Sequence, residues 1–107
     1  MIQVTYHRRY HRLTVEGHAQ SGEPGHDLVC AAASALAYTM AANVANMADN
    51  GQVREPIMKL NPGEAEVGCN PATRYKATVG LVFDSVCLGF ELLAMNYPDY
   101  ISYEIRH

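Results

Sequence analysis

A histidine and a cysteine, His18 and Cys30, stand close together in the segment Gly17–Leu36, GHAQSGEPGHDLVCAAASAL. A thiol becomes a nucleophile when a neighbouring base takes its proton, and imidazole is the usual base. Asp27 is a good helix N-cap, and the alanine-rich run after it favours helix. That places Cys30 in the first helical turn, where the positive end of the helix dipole favours the thiolate. Ser34 follows four residues later, directly beneath Cys30 on the next turn, where it is expected to support the thiol. Backbone N–H groups at the helix start, that of Cys30 included, are expected to form an oxyanion hole.

Each of these residues also has a plainer reading. A lone cysteine in such a helix is ordinarily a buried, inert side chain. Asp27 stands either as a cap or as a third catalytic member. His18 follows a strand pattern, and strict alternation points it away from the face of Leu13 and Val15. Gly17 is expected to supply the bulge or twist that re-aims it. Gly22 and Gly25 lie in a loop from Gln20 to His26, expected to be mobile and to close over substrate. His7, His11, His18, His26 and Cys30 show no compact metal-ligand spacing, so no metal or other cofactor is expected.

The elements that must position these groups follow from periodicity. Ile2, Val4 and Tyr6 alternate over residues 2–6, and Leu13, Val15 and Gly17 alternate over 11–18, with a polar turn between them: an antiparallel hairpin. Val29, Ala33, Leu36, Met40, Val44 and Met47 mark one face of a helix from Leu28 to Ala48, ended by Asp49-Asn50-Gly51. Strands at Pro56–Leu60 and Glu64–Gly68 flank the turn signal Asn61-Pro62-Gly63. Asn70-Pro71 predicts the cap and first residue of a second helix reaching about Met95, with Val79, Val82, Phe83, Val86, Phe90 and Leu93 inward. Gly80 and Gly89 are expected to permit close helix contact. Ile101, Tyr103 and Ile105 form a last strand. The order ββαββαβ predicts an α+β two-layer sandwich, two helices on one face of a mainly antiparallel sheet.

The stretch Gly17-His18-Ala19, Gly22, Gly25-His26-Asp27-Leu28-Val29-Cys30-Ala31-Ala32 and Ser34-Ala35-Leu36 resembles the signature of the ribosomal-processing cysteine protease family Prp. The resemblance implies that His18 and Cys30 are the catalytic pair, without a cofactor. It implies as substrate the N-terminal extension of the precursor of large-subunit ribosomal protein twenty-seven, an apolar, aromatic-containing segment. It also implies a homodimer. Two other readings stand beside this one: a non-catalytic module that uses the same groove to bind a ribosomal protein, and a thiol redox switch on Cys30.

Composition bounds the rest. The chain has 107 residues, is 49% hydrophobic and carries a formal charge of −3, as suits one soluble domain. Arg8, Arg9 and Arg12 read as a solvated hairpin tip rather than a nucleic-acid surface. Cys30, Cys69 and Cys87 form no disulfide framework, which fits a reducing cytoplasm. Cys87 reads as a buried small hydrophobe, and Cys69 receives no role. No secretory signal is read at the N-terminus. Leu28 to Ala48 is uncharged and long enough to span a bilayer, but its alanines and Ser34, Thr39, Asn43 and Asn46 point to a core helix.

Overall fold

The computed structural model describes residues 1–17 and 26–107. The elements are β1 (Ile2–His7), β2 (Arg12–Glu16), α1 (His26–Asp49), β3 (Val53–Asn61), β4 (Glu64–Pro71), α2 (Lys76–Asn96) and β5 (Ile101–Arg106). Short 3₁₀ turns at Arg8–Tyr10 and Thr73–Tyr75 join β1 to β2 and lead into α2. The five strands lie in the order β3-β4-β2-β1-β5, with β5 parallel to β1 and every other pair antiparallel. This is the α+β sandwich expected, in the order expected.

Alternation decides which face of the sheet is covered. Ile2, Val4 and Tyr6 of β1, Leu13 of β2, Val67 of β4 and Ile101 of β5 are buried. Their neighbours Gln3, Glu16 and Ser102 are exposed on the other face. The covered face meets Val29, Ala33, Met40, Val44 and Met47 of α1 and Val79, Phe83 and Phe90 of α2, forming one core. Each helix is long and apolar enough to cross a membrane by length and composition. In this fold the apolar stripe of each is spent on the sheet.

Several boundaries differ from the expectation. β4 continues through Asn70 and Pro71, which pair with Arg54 and Val53, so Asn70-Pro71 closes a strand rather than capping a helix. The longer β3 accounts for this, because it supplies ladder partners beyond Gly68. Cys69 is therefore a buried mid-strand residue. Leu36 is only partly buried, since it packs against Gly89 where the two helices touch. A Cβ on Gly89 would lie 2.8 Å from Leu36 Cδ2, so a side chain there would oblige the end of Leu36 to shift. Gly80 instead faces His11. Arg8 and Arg12 are not simply solvated: Arg8 pairs with Asp84 at 3.1 Å and Arg12 with Glu66 at 3.5 Å.

Candidate active site

Helix α1 begins at His26, ahead of the expected start, so Asp27 lies within its first turn rather than at the cap. An acid there still suits the helix dipole. Cys30 becomes the fifth helical residue. Its N–H falls within reach of the His26 carbonyl in the regular i→i−4 pattern and is committed to the helix. Among the described residues, the backbone donors left without an i→i−4 partner at this end are those of residues 26–28, not of Cys30. His18, Gly22 and Gly25 and the loop they belong to lie outside the described residues, as does the side chain of Asp27.

The thiol of Cys30 is half-buried and opens into a cavity of about 160 Å³ between α1 and the β3–β4 hairpin. Gly17, Cys30 and Ser34 all line this cavity, so the fold brings together three of the expected site residues. Tyr38, Leu60 and Ala65 line it as well, and sequence reasoning did not single them out. Tyr38 was within reach: Cys30, Ser34 and Tyr38 recur every fourth residue and so share one ridge of the helix. Leu60 and Ala65 were not, because only the sheet order brings the hairpin beside α1.

Two details fix the far wall. Pro62 precedes Gly63, whose φ of 77° turns the chain from β3 into β4. The Gly63 carbonyl then accepts a hydrogen bond of 3.0 Å from the N–H of Gly17. Gly17 itself has φ 112°, a conformation closed to residues with a Cβ. Strand alternation thus ends at Glu16, and His18 itself lies outside the described residues.

The other cysteines are poor nucleophiles. Burial pushes the Cys69 thiol up to about 11 and the Cys87 thiol up to about 12. At pH 7 the thiolate fraction of Cys69 is then on the order of 10⁻⁴, and that of Cys87 smaller still. A limiting dose of iodoacetamide at pH 7 is therefore expected to modify Cys30 first, followed site by site by mass spectrometry. Equal modification of the three would contradict this placement.

A free cysteine on the wall of a side-chain-sized cavity, on a helix facing a small mixed sheet, is the arrangement that a thiol peptidase needs. The chain belongs to the cysteine protease Prp family, whose family model matches residues 1–102. It is a cysteine protease. Solved structures agree in fold. The Streptococcus mutans protein SMU.848 is 30% identical, with a TM-score of 0.65 over 98% of this chain and 93% of that one. The ribosomal processing protease Prp from Staphylococcus aureus in complex with a substrate peptide is 19% identical, with a TM-score of 0.70 over 98% and 97%. The same Staphylococcus aureus protein with a covalently linked product peptide is 20% identical, with a TM-score of 0.69 over 98% and 97%. No curated protein matches the chain.

Proposed function

We propose that this protein is a ribosomal-processing endopeptidase that removes the N-terminal extension of the precursor of large-subunit ribosomal protein twenty-seven. The observation that carries the proposal is the position of Cys30 on the wall of the cavity shared by α1 and the β3–β4 hairpin. His18 takes the thiol proton, and Cys30 Sγ attacks the scissile carbonyl carbon. The peptide C–N bond breaks as His18 returns the proton to the leaving amine. Water then hydrolyses the thioester and frees the enzyme. Helix amides of residues 26–28 are the donors at hand for the oxyanion. Asp27 and Ser34 act in support, and the loop containing Gly22 and Gly25 closes on the bound peptide.

The cavity also speaks to specificity. A space of about 160 Å³, walled by Val15, Ala37, Tyr38, Leu60 and Ala65 with Ser34, Asn61 and Glu64 adding polar groups, fits one large side chain. A cavity of roughly 150 Å³ accepts benzene. An extended peptide with a phenylalanine or leucine next to the cleaved bond meets that demand. Replacing the aromatic residues at the junction of the precursor with alanine is expected to cut kcat/KM by about 10–200-fold, the range that side-chain fit commands in an apolar pocket. Equal cleavage of both precursors in a gel assay would sink this assignment.

The protein is proposed to work in the cytoplasm as a homodimer. Its three cysteines are unbridged, in keeping with a reducing compartment. Leu81, Leu88, Leu92 and Met95 form one outward row on α2, each at least half exposed, and supply an apolar surface for a second copy. Light scattering at micromolar concentration is expected to give twice the chain mass, and the doubly substituted Leu88→Glu, Leu92→Glu variant half of that. A wild-type monomer would refute it.

A further inference from the structure

The opposite end of the β1–β2 hairpin from Gly17 carries a second cleft, of about 580 Å³, lined by residues that the protease chemistry leaves unused. Its charged side chains are Arg8, Arg9, Lys76 and Asp84. The carboxylate of Asp84 is already engaged by Arg8 and Tyr6. It accepts hydrogen bonds from Arg8 Nε and a terminal Arg8 nitrogen at 3.1 Å each, and from the Tyr6 hydroxyl at 2.8 Å. Arg9 and Lys76 are exposed and have no acidic partner among the described residues. Two cations are thus left over at the mouth of the cleft.

The wall of the cleft holds a buried imidazole. His11 is 8% exposed, sits edge-on to the Phe83 ring at 5.9 Å, and reaches toward Gly80 on the cleft wall. Neither ring nitrogen makes a hydrogen bond among the described residues. The buried unpartnered side-chain nitrogen among the described residues is Arg12 Nε, so the His11 ring nitrogens keep access to the cleft and stay available to a ligand there. The charged groups facing the ring come from two elements: Arg8 from the turn after β1, and Lys76 and Asp84 from α2. Burial and the Lys76 charge hold the imidazole below its ordinary range, which favours a neutral ring with one N–H to donate.

We propose that this cleft binds the phosphate group of a small phosphorylated ligand, clamped between Lys76 and Arg9 and hydrogen-bonded by His11. A tetrahedral dianion matches two cations and an imidazole donor converging from different directions, and lysine and arginine are the usual phosphate partners. The volume suits a phosphate monoester with its organic part against Leu81. Asp84 does not oppose the anion, because Arg8 balances it.

The test is a histidine-ring ¹⁵N NMR titration of the full chain at constant ionic strength. The probes are sodium phosphate and a nucleoside 5′-monophosphate, each up to about 10 mM. The His11 resonances are expected to shift and saturate with a dissociation constant of about 1 mM or tighter. The His11 titration midpoint is expected to rise with the site filled, since an adjacent anion favours imidazolium. Lys76→Gln and Arg9→Gln, both at exposed positions, should each weaken binding by about tenfold. Lys59→Gln, an equal loss of charge toward the tip of the β3–β4 hairpin, should not. Equal affinity for the two probes identifies the free anion as the ligand, and tighter binding of the nucleotide identifies an esterified phosphate. No saturable His11 shift with either probe, or equal weakening by Lys59→Gln, overturns the proposal.

Discussion

Cys30→Ala is expected to abolish cleavage of the ribosomal-protein precursor while leaving the fold intact. Removing the nucleophile of a covalent mechanism costs about 10⁴-fold or more in kcat. Stability should hold, because alanine favours a helix interior more than cysteine does and Cys30 is only half-buried. His18→Ala is expected to lose roughly 10²–10⁴-fold, the share of general acid–base help. The two losses should not add in the double variant, since one pair carries one step. Cys69→Ala provides the contrast. It removes a buried thiol, so it should lower the melting temperature and leave turnover near wild type. The readout is precursor cleavage followed by mass spectrometry, beside circular dichroism of each variant. Near-wild-type cleavage by Cys30→Ala, or an inactive but folded Cys69→Ala, would assign the nucleophile elsewhere.

Gly17→Ala is expected to damage both stability and activity, for a reason visible in the backbone. At φ 112° an L-residue is strained, and a Cβ there runs into the carbonyl oxygen of Met1. That oxygen belongs to main chain and cannot swing aside. Replacement at an incompatible φ costs more than about 1 kcal/mol even without a clash. For a domain of this size each kcal/mol lowers Tm by roughly 4–8 °C. The hydrogen bond from Gly17 to Gly63 would also be disturbed, and with it the wall of the cavity. Because Gly17 immediately precedes His18, kcat should fall further than the loss of folded protein explains, measured well below the melting transition. Gly51→Ala is the comparison. Gly51 also has positive φ, 70°, but a Cβ there meets nothing within 4 Å. It should cost stability alone. If Gly17→Ala behaves like Gly51→Ala, with unchanged kcat, Gly17 has no part in setting the site.

Much of the architecture was legible because periodicity records which face is buried. Val29, Ala33, Met40, Val44 and Met47 recur at helical spacing because one side of α1 lies on the sheet, and they are indeed buried. The alternation of Ile2, Val4 and Tyr6 is the same statement made by a strand. Element ends were less legible. Asn70-Pro71 has the chemistry of a helix start, yet pairing with Val53 and Arg54 held both residues in β4. Local propensity lost to a ladder formed with a strand nearly twenty residues upstream. The start of α1 was misplaced in a similar way, which moved Asp27 off the cap and committed the Cys30 amide to the helix.

What the sequence determined by itself was the chemistry on offer: a thiol on the first turns of an alanine-rich helix, a histidine after a glycine, and a glycine-bearing loop between them. These are properties of short segments, and residue type with spacing suffices to state them. The tertiary structure decided what the thiol faces. Tyr38 lies on the same helix ridge as Cys30, but Leu60 and Ala65 reach the cavity only because β4 pairs with β2 and carries the hairpin alongside α1. It also decided that His11, one of several histidines in a polar stretch, is buried against Phe83 beside Lys76, while Arg8 crosses to Asp84. Such pairings join residues more than sixty positions apart. They depend on strand order and helix packing, which no local pattern of side chains encodes.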